Sequence, residues 1–528
     1  MLRLLGSQRR LCDGISRRDL LHIGGLGLYG LTAERAASLA AESLATGGEL
    51  RGFGKAKRCI MLFLFGAASQ HETFDPKNDA PAEIQGELKG IPSALSGVPI
   101  CEGLPLTSKI TDRLTIVRSM THPFPLHCVA YALSGMPTYT TDIETKPRDP
   151  VHWPYFGSIA DYFWSMSGTA LAAGQTRVPT PAASAVPLNG SAASVTGPST
   201  EWTPRHVGLP WVFNSQVDDL GVLAGPYAAF LGQRFDPVWA KFEGKSLRIA
   251  PKARHEQPKE YSDPYAAVDP DCRFVFDGAG RFAENVSLDR FNLRRELLSQ
   301  FDAARLSADT LAERSYSSNQ GRALSLLTSA KTREALDVSR EAPTLRERYG
   351  HTLFGQSCLA ARRLVESGTQ FVSVFWDAYG TYFSGAWDTH QNHYPRMKQY
   401  LLPGFDAAFS ALILDLEQRG LLDETLVLCM SEHGRTPQID SKPVGAARHH
   451  WSQVYSMALA GGGTHRGAVV GHSDRIGGTV ADTPISPKDI HATTFHLLGL
   501  NPHAVIHDQQ NRPYPIAGDG QVRHELIA

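Results

Sequence analysis

Five short apolar runs punctuate the chain, and each gives way to glycine or to polar residues. Cys59 to Phe65 (CIMLFLF) breaks at Gly66, and Leu114 to Val117, Phe371 to Trp376, Thr425 to Met430 and Tyr455 to Ala460 follow. Uninterrupted apolar runs of this length fit strands buried on both faces, as in a parallel sheet. Between them the period lengthens. Phe405, Phe409, Leu412 and Leu416 form one stripe that stops at Gly420, and Cys358, Leu359, Arg362 and Leu364 form another that stops at Gly368; such spacing with a terminal glycine predicts amphipathic helices. Ser287 is the expected N-cap of a further helix carrying Leu293, Leu297 and Phe301. The alternation predicts an α/β fold: a mainly parallel central sheet between helical layers, built from right-handed βαβ units, with the polar or glycine-rich strand ends able to form a site edge. Two regions interrupt the scheme. Residues 166–210, rich in Gly, Ser, Ala, Thr and Pro, read as loop, and residues 281–345, helical and charged, read as an inserted helical cap.

The two ends of the chain differ in character. Ser16-Arg17-Arg18-Asp19-Leu20-Leu21 opens a segment that is apolar and glycine-rich to Ala33 and alanine-rich to about Ala45. A cationic start, a modest apolar stretch and small residues beyond it make the layout of an export signal, and the paired arginines point to the twin-arginine machinery as a partner. An amphipathic first helix is the alternative. The expected organisation is therefore a signal over 1–45, a linker over 46–57 and one α/β domain over 58–528, acting in the periplasm or secreted. The apolar run is too short for a stable membrane span. Lys and Arg number 52 against 53 Asp and Glu, so no global field steers polyanions, and no basic run with interleaved aromatics suggests nucleic acid. Cys12, Cys59, Cys101, Cys128, Cys272, Cys358 and Cys429 are scattered without a C-x-x-C. Several sit in apolar runs where cysteine packs as a small hydrophobe, so no dense disulfide framework is expected.

The chemistry gathers in the last third. Thr425 to Met430 runs into Ser431-Glu432-His433-Gly434; Asp388-Thr389-His390 lies upstream and His449-His450-Trp451 downstream. Carboxylate oxygen and imidazole nitrogen suit zinc, and carboxylate-rich sets suit calcium or manganese. Ligands in open α/β sheets are held at the C-terminal strand edge. Taken singly, Asp388 could cap a helix, Glu432 could pair with Arg435, and a lone histidine is more often structural. Three such clusters at strand ends together predict a metal site of Asp388, His390, Glu432, His433 and His450, with Gly434 permitting the turn that aims Glu432 and His433 inward. Gln70-His71-Glu72-Thr73-Phe74-Asp75 after the first strand, and Thr121, His122 and His127 after the second, offer further donors at the same edge. No G-x-S-x-G elbow is present, and Gly461-Gly462-Gly463 lacks the Lys-Ser/Thr of a phosphate loop.

The helix before GLLDETLVLCMSEHG resembles the corresponding part of the sulfatase and alkaline phosphatase superfamily, in which a strand ends in Ser-Asp-His-Gly or Ser-Asp-Asn-Gly. Glu432 then stands at the metal-binding aspartate and His433 at its neighbour. Ile485 to Thr493 with Leu498-Gly499-Leu500 is similar to the late helix of sulfatases. Over about residues 57–528 the chain resembles, more closely, an exported bacterial family of sulfatase-like proteins of unassigned function; FLFGAASQHETFDPKNDAPAEIQGEL, IVRSMTH, SCLAARRLVESGTQFVSV, WDTH, SEHGRTP and HHW carry that likeness. The resemblance implies the superfamily fold with metals at the C-terminal strand edge. The chain departs from it at the nucleophile. Aligning Leu133-Ser134-Gly135 with the formylglycine motif puts Pro125 at the converted residue, Cys128 at the serine and Val129 at the arginine, and Gly66-Ala67-Ala68 replaces the paired aspartates. The expectation is an exported metal-dependent hydrolase of sulfate or phosphate esters, acting on a small-molecule or glycan ester with water as nucleophile, His127 as acid or base and Thr121 as a lesser nucleophile candidate. The alternative is a non-catalytic binding protein for anionic glycans or a cell-surface partner on the same scaffold.

Overall fold

A nine-stranded mixed sheet forms the centre of the molecule. In chain order its strands are β1 (Arg58–Leu64), β2 (Leu114–Met120), β3 (His206–Leu209), β4 (Val238–Glu243), β5 (Arg273–Phe276), β6 (Phe371–Trp376), β7 (Thr425–Met430), β8 (Tyr455–Ala460) and β9 (Ala468–Val470), lying side by side as β9-β2-β8-β7-β1-β6-β3-β4-β5. They come from a computed structural model, which describes residues 51–528 apart from 125–126, 128, 137–145, 147–148, 150, 173–202, 218–224, 247–263, 277–328 and 381–385. Gly54–Ala528 is one compact unit; of the other unit, Met1–Phe53, only residues 51–53 are described.

β1 is the axis of the sheet. It pairs in parallel with β6 on one side (Cys59 opposite Phe371, Leu64 opposite Trp376) and with β7 on the other (Arg58 opposite Thr425, Phe63 opposite Met430). All residues of β6 and β7 are buried, as their unbroken apolar sequence requires of a sheet covered on both faces. On one face α3 (Leu353–Glu366) and α4 (Leu402–Gln418) pack against the sheet, with Phe405, Phe409, Leu412 and Leu416 of α4 fully buried. Such side chains each contribute about 1.5–3 kcal/mol on leaving water. On the other face α1 (Val129–Ser134), α2 (Phe156–Ala172) and α5 (Pro487–Leu497) share a second core with Phe63, Leu428 and Met457. The capping box Ser486–Asp489 and Pro487 in the first turn start α5.

The sheet is mixed rather than purely parallel. β8 runs antiparallel to both β2 and β7, and β5 antiparallel to β4. The reversal of β8 matters for the site. Its first residue, Tyr455, lies at the edge where β1, β2, β6 and β7 end, so the preceding His449-His450-Trp451 joins that edge. The glycines after it, Gly461 and Gly462, come instead against Leu422, Thr425 and Leu426 at the start of β7, on the opposite edge from the site. Of the strand ends read as able to form a site edge, this one does not, because apolar content does not encode strand direction.

β3, inside the stretch read as loop, is four residues long with a central glycine, too brief to register against its Gly/Pro-rich surroundings; β4 and β5 were likewise not anticipated. The export segment over 1–45, the helix begun by Ser287, and most of the expected cap over 281–345 lie outside the described residues, as do Pro125 and Cys128. From Ser329 the described part of the cap region contains the short helices Ala330–Leu336 and Pro343–Tyr349. Among the described residues no helix is long and apolar enough to cross a membrane, and Cys59, Cys101, Cys272, Cys358 and Cys429 are buried free thiols.

Candidate metal centre

Three segments close on one another at the end of β1. Phe65 accepts a hydrogen bond from the Trp387 backbone at 2.7 Å, drawing the 386–390 loop against the strand end. Gly66 follows with φ 98°, and a Cβ there would stand 2.3 Å from the Asp388 nitrogen, so only glycine fits. Its N–H donates to Glu432 Oε1 at 2.8 Å. The glycine that stands where a paired aspartate was expected thus supplies an amide to the carboxylate of the next strand.

The turn after β7 is made by Ser431, whose hydroxyl donates to the His433 carbonyl at 2.8 Å. Gly434 is needed for a different reason from the conformational freedom expected of it. Its φ is not among the positive ones; a Cβ there would lie 2.4 Å from Gln70 Oε1 and 2.7 Å from Tyr455 Cβ. Gly434–Arg435 pairs antiparallel with His450–Trp451, placing Arg435 opposite His450. Arg435 is fully buried and binds the carbonyls of Gly66, Ala67 and Arg448 and the Asp388 carboxylate, so one guanidinium ties all three segments together. The alternative Glu432–Arg435 pair does not form.

These contacts bring the five expected ligands, and His127, into one cluster. His127, Asp388, His390 and His450 each offer a ligand atom within 4.8 Å of the others, and so do His127, Glu432 and His433. His127 Nδ1 is 2.7 Å from Glu432 Oε1 and its Nε2 is 3.4 Å from Asp388 Oδ2. Burial pushes this imidazole down, but the two carboxylates outweigh it and hold it up at about 9. His390 Nε2 lies 3.1 Å from Asp388 Oδ1 and 2.9 Å from His450 Nε2. Burial raises the Asp388 carboxyl, and Arg435 followed by the three histidines more than reverses this, leaving it well below the ordinary range.

Two atoms bear on whether this set suits a cation. His433 is fully buried and its Nδ1 sits 2.7 Å from the Gly434 carbonyl. A carbonyl only accepts, so Nδ1 carries the hydrogen and Nε2 is a bare lone pair; it has no hydrogen-bond partner among the described residues. Burial, then the charges of His127, Arg435 and His450, hold this ring well below its ordinary pKa and so neutral. Glu432 Oε2 is likewise buried without a hydrogen-bond partner. A neutral imidazole fixed through its other nitrogen, beside a carboxylate with an unused oxygen, is how proteins present metal ligands. The donor set fits a divalent cation.

Other expected donors serve as scaffold. His122 Nε2 is 2.7 Å from the Glu432 carbonyl while its Nδ1 accepts from the Phe124 amide at 3.2 Å; burial pushes it down to about 4, a neutral strut beneath the turn. The Thr121 hydroxyl donates to the Ser452 carbonyl at 3.5 Å, and the Thr121 amide to the Ile485 carbonyl at 2.9 Å. The Gln70–Asp75 segment does not enter the cluster. Gln70 clasps the Arg435 backbone at both ends of its amide (2.8 and 3.0 Å). Glu72 receives Arg448 Nη2 at 2.8 Å and faces His393 Nε2 at 3.3 Å, while His393 Nδ1 contacts Thr389 Oγ1 at 2.8 Å. Arg448 directly precedes His449-His450, and Thr389 lies between Asp388 and His390. This buried network therefore braces both ligand-bearing loops, a role that sequence spacing did not disclose.

With this geometry in view, the chain belongs to the family described as "Protein of unknown function (DUF1501)", whose pattern matches residues 56–164 and 169–527. No curated protein matches the sequence significantly. Among solved structures it is similar to Ps i-CgsB, also solved in complex with k-i-k-neocarrahexaose, at 10% identity and TM-score 0.36 over 88% of this chain and 75% of that one. It is similar to the PsFucS1 sulfatase from Pseudoalteromonas sp. at 11% identity and TM-score 0.33 over 88% and 70%. A phosphonate monoester hydrolase from Silicibacter pomeroyi shares 13% identity at TM-score 0.19 over 32% and 41%. Likeness this distant fixes neither a common substrate nor a common reaction.

Proposed function

We propose that the protein is an exported metal-dependent hydrolase of sulfate or phosphate esters. The observation that supports it is the convergence of Asp388, His390, Glu432, His433, His450 and His127 on one strand edge, with His433 Nε2 and Glu432 Oε2 buried and without hydrogen-bond partners. Asp388, His390 and His450 would hold a cation on the exposed side of the cluster, and Glu432 and His433 on the buried side. When bound, such a cation polarises an ester oxygen and lowers the pKa of water, which would be the nucleophile. Arg435 keeps Asp388 ionised and in register. His127, lodged between Asp388 and Glu432, holds a proton that its Nε2 can deliver to a departing oxygen. The sequence resemblance to the sulfatase and alkaline phosphatase superfamily agrees with this reading.

Screening aryl sulfates, phosphomonoesters and phosphodiesters with zinc, calcium and manganese tests it. Hydrolysis that depends on added metal and is abolished by Glu432→Gln supports the hydrolase. Retention of a sulfated or phosphorylated ligand without turnover points to the binding-protein reading. Export through the twin-arginine route predicts that Arg17→Lys with Arg18→Lys blocks appearance of the chain outside the cytoplasm.

A further inference from the structure

A cavity of about 610 Å³ opens beside the donor cluster, between Thr436–Asp440 and the turn Asp474–Thr479, within the ordinary range for small-molecule sites. His449 joins the two: it lines the cavity, its Nδ1 is 2.9 Å from His390 Nδ1, and its Nε2 is 3.3 Å from Asp440 Oδ2. A group seated in the cavity therefore lies next to the exposed rim of the cluster.

The charge of the lining is one-sided. Asp440 and Asp474 contribute carboxylates, and among the described residues no Lys or Arg lines the cavity. Both carboxylates are fixed in place. Asp440 accepts from the Lys442 amide at 3.0 Å, and Asp474 from the amides of Ile476 (3.2 Å) and Gly478 (2.7 Å) and the Thr479 hydroxyl (3.0 Å). An occupant carrying its own negative charge would meet two like charges, with only His449, already facing Asp440, to offset them. The rest of the wall is largely apolar, from Ile84, Pro437, Ile439 and Ile476, with one large aromatic ring, the Trp451 indole, besides the His449 imidazole. Trp451 donates its Nε1–H to the Gly478 carbonyl at 2.7 Å, which spends the polar edge of the indole and leaves carbon surface for a ligand. One indole beside an imidazole whose two nitrogens face His390 and Asp440 is not the cage that quaternary ammonium groups require. An apolar ring face combined with fixed acceptors suits a molecule that is apolar on its faces and hydroxylated at its rim.

We propose that this cavity is the subsite for the alcohol part of the substrate and that it takes an uncharged sugar unit, its C–H face on Trp451 and its hydroxyls donating toward Asp440 and Asp474. The placing of the ester toward His390 rests on the hydrolase reading; binding of the sugar does not.

Isothermal titration of the full chain, without added metal, against neutral trisaccharides (cellotriose, maltotriose, mannotriose, xylotriose), the galacturonate trimer and the glucosamine trimer tests the assignment. At least one neutral trisaccharide should bind more tightly than either charged one. Trp451→Ala should weaken it by about tenfold, the scale of one ring contact, while Trp451→Phe retains most of the affinity. If Trp451→Ala does not fold, Ile439→Gln should produce the same loss. Tighter binding of a charged trimer than of every neutral one, no binding of any, or unchanged affinity in a folded Trp451→Ala overturns the proposal. Sugar binding that persists in Asp388→Asn, in a protein found to hydrolyse no ester, would sink the hydrolase reading and leave the subsite standing.

Discussion

Two histidine–carboxylate clusters lie at the same strand edge and differ in what closes them. In the inner one an arginine answers the carboxylate directly: the Arg448 guanidinium sits on Glu72 at 2.8 Å, His393 Nε2 stands 3.3 Å from the other Glu72 oxygen, and burial, which raises the Glu72 carboxyl, is more than reversed by Arg448 and His393. In the outer one Arg435 reaches the Asp388 carboxylate but not that of Glu432. Among the described residues Glu432 has no arginine and forms an ion pair only with His127, and Glu432 Oε2 and His433 Nε2 have no hydrogen-bond partner. A third carboxylate, Asp377, shows what happens without a cation: although Trp211 and the amides of Asn214 and Ala378 donate to it, burial pushes it up to about 7. Residue type therefore does not separate scaffold from site. What separates them is whether each carboxylate has an arginine, a cation at any pH: Glu72 has Arg448, and for positive charge Glu432 has only the titratable His127.

The sharpest way to break this comparison is to remove one carboxylate from each cluster. Glu72→Gln leaves Arg448 buried and uncompensated and should cost about 3–5 kcal/mol in urea unfolding. Glu432→Gln in the metal-free chain should cost about 1.5 kcal/mol or less, while abolishing metal uptake in equilibrium dialysis. Equal destabilisation by the two would erase the distinction. Added metal should act only through the outer cluster. At a free concentration 100-fold above its Kd it should stabilise wild type by about 2.7 kcal/mol, read as a rise in Tm that a chelator reverses and that His450→Ala lacks. A separate effect, read in pH rather than in metal, concerns Asp377. Its folded pKa lies above the unfolded value of 3.8, so its contribution is fully present below about pH 4 and is lost as pH rises toward about 7. Stability should fall across that window by up to ~1.4 kcal/mol per pH unit, and Asp377→Asn should flatten this part of the profile.

The five apolar runs were legible because burial on both faces writes itself as continuous hydrophobicity; β6, β7 and β8 begin and end where the pattern places them. The direction of β8 was not, since pairing sense depends on partners distant in sequence. The ligand-type residues at 388–390, 432–433 and 449–450 could be read as clusters. Their neighbours in Gln70–Asp75 carry the same chemistry, and only the position of Arg448 shows that Glu72 is already neutralised. His127 was expected to carry protons, and its contact with both Asp388 and Glu432 was beyond reach of the sequence, because it depends on the Gly66 turn and the Arg435 tie. The short strands β3 to β5 left too little pattern to find.

The central claim is that the outer cluster is built to take a divalent cation. Elemental analysis of the purified chain, equilibrated separately with zinc, calcium and manganese and then freed of excess, tests it most directly. The account predicts at least one equivalent of one of these metals, lost in Glu432→Gln and in His450→Ala while both variants stay folded. No bound metal in wild type, or the same content in wild type and both variants, would contradict it.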